Sequence, residues 1–92
     1  MNDPSRKLPS LSVVIPLYQE ADNVAPLLAR VHEGLAGYAG PWELICVDDG
    51  SRDGTGARLQ DTAQSHGSHV RVIRLGRNFG QTAAMQAGFD AA

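Results

Sequence analysis

Ninety-two residues make one small domain or part of a larger one, and a chain of that size buries only about 60–65% of its unfolded surface. Hydrophobic content of 42%, charged content of 20% and a net charge of −2 are ordinary for a globular protein; they argue against disorder beyond the ends and against a surface that tracks a nucleic-acid backbone. A single cysteine excludes an internal disulfide, and no apolar run approaches the roughly 18 residues of a membrane span.

Residues 1–10 are polar, carry Pro4 and Pro9, and read as a flexible leader in which Arg6 and Lys7 are solvated. Leu11-Ser12-Val13-Val14-Ile15 is rich in β-branched residues and predicts a strand that Pro16 ends. The loop that follows offers Tyr18, a ring for stacking or for plain packing, and Glu20, an acceptor-only carboxylate. Asp22 is the expected helix N-cap, and Val24, Leu27, Leu28, Val31 and Leu35 then fall at helical spacing as one apolar stripe. Gly37 and Gly40-Pro41 should stop that helix.

Trp42, expected to pack, precedes Leu44-Ile45-Cys46-Val47. Four apolar residues in succession suit a strand covered on both faces, as in a parallel sheet flanked by helices. The run stops at Asp48 and Asp49, where an open α/β sheet places its ligands, at the carboxyl ends of the strands. Side chains alternate along a strand, so at most one of the two carboxylates should face a given ligand while the other braces the loop. Gly50-Ser51-Arg52-Asp53-Gly54 is turn chemistry, with Thr55 the expected N-cap of a helix running to about His66 on a weak stripe of Leu59, Thr62 and Ala63. Val70 to Leu75 predicts a third strand whose two arginines mark a sheet edge. His32, His66 and His69 have no metal-ligand partner at suitable spacing and are expected to be solvated. After Gly76-Arg77-Asn78-Phe79-Gly80, where Arg77 could hold a phosphate or pair with a carboxylate, a final helix carries Ala84, Ala87, Gly88 and Ala91, small enough to approach a sheet closely. It has no capping glycine, which reads as an interruption.

Three strand-helix units, β-α-β-α-β-α with parallel strands, make a three-layer, Rossmann-like half of a doubly wound α/β fold. Neither G-x-G-x-x-G nor G-x-x-x-x-G-K-[ST] follows the first strand, so a dinucleotide dehydrogenase or phosphate-loop NTPase is excluded. A receiver domain would carry its acidic pair after the first strand rather than the second.

Val14-Ile15-Pro16-Leu17-Tyr18-Gln19-Glu20, Val47-Asp48-Asp49-Gly50-Ser51-Arg52-Asp53-Gly54-Thr55 and Arg77-Asn78-Phe79-Gly80-Gln81 stand in an order and at spacings that resemble the amino-terminal half of family 2 glycosyltransferases of the GT-A fold. The last motif is most similar to dolichol-phosphate mannosyltransferase-like and bacterial polyprenyl-phosphate sugar transferases. The resemblance covers residues 11–92 and implies the nucleotide-sugar-binding part of such a domain, incomplete at its C-terminus. It assigns Pro16, Tyr18, Glu20 and Asp48, with Asp49, to the donor nucleotide, and Arg77 to the diphosphate or the acceptor phosphate. A carboxylate accepts but does not donate, so Asp48 matches an N–H on uracil or guanine, which implies a UDP- or GDP-linked sugar. The acceptor implied is a polyprenyl phosphate, with the complete enzyme associated with the membrane at its cytoplasmic face. The family holds Mg²⁺ or Mn²⁺ through a D-x-D motif beyond the point where this chain ends; none occurs here, and adjacent Asp48-Asp49 is no substitute. The expected catalytic residues therefore number none in this chain, which alone should be inactive. The alternative is a non-catalytic or vestigial nucleotide-binding module.

Overall fold

The strand with the longest apolar run takes the centre of the sheet. In the computed structural model, which describes residues 9–92, β2 (Trp42–Asp48) lies between β1 (Leu11–Leu17) and β3 (Val70–Arg74), all parallel. Leu44, Ile45, Cys46 and Val47 are wholly buried, and full burial of each aliphatic side chain contributes about 1.5–3 kcal/mol. The connections are a single 3-10 turn (Ala21–Asn23) leading into α1 (Val24–Gly34), then α2 (Thr55–His66), with α3 (Gln81–Ala91) following β3.

Two cores separate the layers. On one face Val24 and Leu28 of α1 and Leu59 and Ala63 of α2 meet Leu44 and Cys46. On the other, Ala84 of α3 meets Ile45 and Val47. Gly88 explains how α3 comes so close: a Cβ there would lie 2.3 Å from Val14 Cγ1. The expected three-layer architecture is observed, with alternate β2 side chains serving opposite cores.

Several local expectations are corrected. Pro16 does not end β1 but sits inside it, paired in register with Val47; among the described residues β1 is an edge strand, where a missing N–H is tolerated. Asp22 is not the N-cap of α1, because the chain first makes the 3-10 turn; Asn23 holds the cap position without a side-chain cap bond and donates instead to the Glu20 carboxylate at 2.6 Å. The same helix ends at Gly34, short of Gly37. Thr55 is the first residue of α2 rather than its cap: Gly54 precedes it in the left-handed region, and the Asp53 carboxylate accepts the Thr55 N–H and hydroxyl. Residues 1–8 of the expected leader lie outside the described residues. Ser10 is not loose, since its N–H donates to the Pro41 carbonyl at 2.8 Å and its hydroxyl meets that of Tyr38 at 2.6 Å.

β3 is a sheet edge, as its arginines predict. Arg71 donates to buried Glu43 at 3.0 Å and to the Ala91 carbonyl at 2.9 Å, tying the edge to β2 and to the end of α3.

The three histidines are not separately solvated. Helix ends and the start of β3 bring them together against Trp42: His32 stacks on His66 with ring centroids 3.9 Å apart, and its Nε2 lies 2.7 Å from His69 Nε2. The Trp42 ring meets His32 and His69 edge-on, so its expected packing role is met by aromatic neighbours.

Candidate functional site

The end of β2 is a hub that fixes both neighbouring loops. Toward the first loop, the Asp49 N–H donates to the Leu17 carbonyl at 2.8 Å, the Gln19 N–H to Ser51 Oγ at 2.9 Å, the Glu20 N–H to Thr55 Oγ1 at 3.0 Å and the Arg52 N–H to Gln19 Oε1 at 2.6 Å. These bonds hold Gln19 at φ 56°, the one non-glycine residue with positive φ among those described. Toward the third loop, the Asp49 carboxylate accepts the Phe79 N–H at 2.8 Å, the Gly80 N–H at 3.0 Å and Asn78 Nδ2 at 2.9 Å. Gly50 permits the closest approach: at φ 72° its missing Cβ would lie 2.1 Å from the Arg77 carbonyl carbon, where no side chain fits.

Two adjoining cavities open between these loops at the carboxyl edge of the sheet, sharing Tyr18 and Asn78 in their walls. The first, of about 390 Å³, is lined by Pro16, Tyr18, Glu20 and Asp49 together with Gln81. The second, of about 570 Å³, is lined by Tyr18 and Asp48 and by three arginines, Arg52, Arg74 and Arg77. All six residues expected at the site line one cavity or the other. Tyr18 is 47% exposed, and its ring stands at the walls of both cavities. Arg77 pairs with no carboxylate among the described residues; its guanidinium lies 4.8 Å from the centre of the Phe79 ring.

The two aspartates line different cavities. Asp49 is the brace, its oxygens both taken by the third loop. Asp48, 2% exposed, accepts the Ser51 N–H on Oδ1 at 3.0 Å and has Arg74 Nε 3.8 Å from Oδ2. Sequence reading passed over Arg74 and Asn78. Asn78 adjoins Arg77 in the third motif; Arg74, expected to protect the sheet edge, is the cross-strand partner of Asp48, which nothing in the sequence reveals.

A divalent cation does not fit these carboxylates. No group of three or more His, Cys, Asp or Glu side chains is positioned to hold one among the described residues, and Asp49 has no free oxygen.

A strand-edge cavity walled by an aromatic ring, a buried carboxylate and several arginines lies on a parallel three-layer sheet, at the edge where α/β folds place their ligands. The chain belongs to glycosyl transferase family 2, whose model matches residues 12–92. It is 47% identical over 91 residues to a dodecaprenyl-phosphate galacturonate synthase of Rhizobium johnstonii, a match covering 99% of this chain and 27% of that protein. It is 42% identical over 80 residues to an undecaprenyl-phosphate 4-deoxy-4-formamido-L-arabinose transferase of Klebsiella pneumoniae, covering 87% of this chain and 24% of the relative. The chain thus spans about a quarter of the length of these curated relatives. Among solved structures, a mannosyltransferase from Pyrobaculum calidifontis in complex with GDP-Man and Mn²⁺ superposes with a TM-score of 0.77 at 24% identity, over 98% of this chain and 26% of that one, and shares its fold.

Proposed function

We propose that this chain carries the donor-nucleotide-binding part of a glycosyltransferase that moves a sugar from a UDP- or GDP-linked donor to a polyprenyl phosphate. The observation that carries the reading is the cavity at the end of β2, lined by a buried carboxylate, an exposed tyrosine and three arginines. Asp48 accepts an N–H of the base, Tyr18 covers the base or ribose, and Glu20 accepts from a ribose hydroxyl. Arg77 faces the phosphates, which its planar guanidinium can hold by two parallel bonds. Asp49 acts through the third loop, which carries Arg77, rather than by touching the nucleotide.

In the complete enzyme an oxygen of the acceptor phosphate attacks the anomeric carbon while the bond to the nucleoside diphosphate breaks, inverting the configuration there. The chemistry of a divalent cation, Mg²⁺ or Mn²⁺, would neutralise the departing diphosphate; the residues here are not its ligands, and they bind and orient the nucleotide. The acceptor class rests on the two polyprenyl-phosphate relatives and implies a protein working at the cytoplasmic face of a membrane. No helix among the described residues is long and apolar enough to cross one.

The test is a titration of the chain with UDP and GDP followed by NMR. One nucleotide should shift the amide signals of residues 17–20, 48–52 and 74–78, and Asp48→Ala and Tyr18→Ala should each weaken binding about tenfold. Unchanged affinity in both variants, or shifts clustered elsewhere, would remove the reading.

A further inference from the structure

Arg74 lies where its role is set by three neighbours. It is the cross-strand partner of Asp48 in the β2–β3 register. Its guanidinium is laid over the first turn of α2 at Gly56: a Cβ there would come within 2.3 Å of Arg74 Nε and 2.6 Å of both Arg74 Cζ and Asp48 Oδ2. Only a residue without a side chain leaves room for that arrangement. The separation of 3.8 Å between Nε and Oδ2 is an ion pair but too long for a hydrogen bond.

Asp48 Oδ1 is taken by the Ser51 N–H, whereas Oδ2 has no hydrogen bond among the described residues. Oδ2 is not among buried atoms left without a partner, and Asp48 lines the second cavity. The Arg74 side chain is 50% exposed, against 3% for Asp48. A carboxylate oxygen with no hydrogen bond and a half-exposed guanidinium therefore stand side by side at the cavity wall.

We propose that Arg74 reads the nucleobase, donating to a ring carbonyl while Asp48 Oδ2 accepts the adjacent ring N–H. The inference rests on the donor-nucleotide reading above and adds to it a residue and a division of labour. A phosphate brought onto Arg74 would be brought equally near the buried Asp48 carboxylate, and like charges at that range repel. What suits the pair is a neutral, planar edge lying against both groups, giving one proton to the carboxylate and taking another from the guanidinium, which uracil and guanine present as an N–H beside a C=O. Arg77, with no carboxylate partner, is left for the phosphates.

The test compares ligands with and without phosphate on the full chain: the preferred nucleoside, uridine or guanosine, its diphosphate, and inorganic pyrophosphate, each titrated by NMR. Arg74→Met should weaken nucleoside and nucleoside diphosphate alike, by about tenfold, and leave pyrophosphate unchanged. Arg74→Lys keeps the charge beside Asp48 and should show the same selective loss, since a point charge lacks the planar fork; it serves if Arg74→Met does not fold. Loss confined to the diphosphate and pyrophosphate would make Arg74 a phosphate ligand and overturn the proposal, as would no loss at all. If the unsubstituted chain binds no nucleoside and no nucleotide, the donor-site reading falls, and this inference with it.

Discussion

Asp49 shows how much of the conspicuous acidic motif is spent on holding the site together. Its carboxylate takes two backbone N–H groups and one side-chain amide from the loop that carries Arg77, and bonds to a charged acceptor are worth more than neutral ones. Asp49→Asn keeps the shape but turns an NH₂ group toward donors. The substitution should cost about 1–3 kcal/mol, read as a lower urea midpoint, with the Phe79 and Gly80 amide signals moving upfield. An unchanged midpoint with unchanged amide signals would show that the brace is not used. Gln19 makes a comparable point about strain. A left-handed backbone costs a non-glycine residue about 1–2 kcal/mol, and here its own N–H and side chain are held by Ser51 and Arg52.

Among the elements, the junction of α1, α2 and β3 carries a titratable device at the end of the sheet opposite the cavities. His32 Nδ1 meets the Leu28 carbonyl at 2.7 Å; a carbonyl only accepts, so that nitrogen bears the proton. His32 Nε2 then accepts from His69 Nε2–H, and His66 stacks on the His32 ring. Burial, and next the neighbouring His32, hold His66 and His69 below the ordinary histidine range. Such groups bind protons more readily in the unfolded chain. Their contribution to stability is therefore complete well above pH 6.5, and falls as the pH drops through about 6.5 toward the lower folded values. The melting temperature should decline over that window, and His69→Gln should flatten the decline. A melting temperature independent of pH between about 5 and 7.5 would refute the arrangement. Asp53 acts in a separate, more acidic window: the Thr55 hydroxyl lowers its carboxyl first, so what it contributes is lost only as the pH falls through that depressed value.

For the whole molecule, the central strand supplies its own probe. Cys46 is wholly buried between the layers, and burial pushes its thiol up to about 12, so both access and ionisation oppose reaction. A thiol reagent at neutral pH should label it only through opening of the sheet, at a rate that rises with urea in step with unfolding. Rapid labelling with the far-UV circular dichroism intact would mean that the layers do not seal β2.

The architecture was legible in the linear chain because its signals are local. Four apolar residues before two aspartates defined a doubly covered strand, the stripe on α1 defined an amphipathic helix, and small residues on α3 defined a close approach. The three motifs were enough to identify the family and to name six residues that do line the cavities. Turn details failed where neighbours in space compete for the same groups: Asn23 was drawn to Glu20, Asp53 capped Thr55, and Pro16 lies in a strand with no outer partner among the described residues. Only tertiary structure decided that Asp49 braces the third loop, that Arg74 lies over Gly56 beside Asp48, and that three histidines far apart in sequence share one cluster. Each is a long-range contact set by register and helix packing, and spacing along a chain does not encode which side chains the sheet will bring face to face.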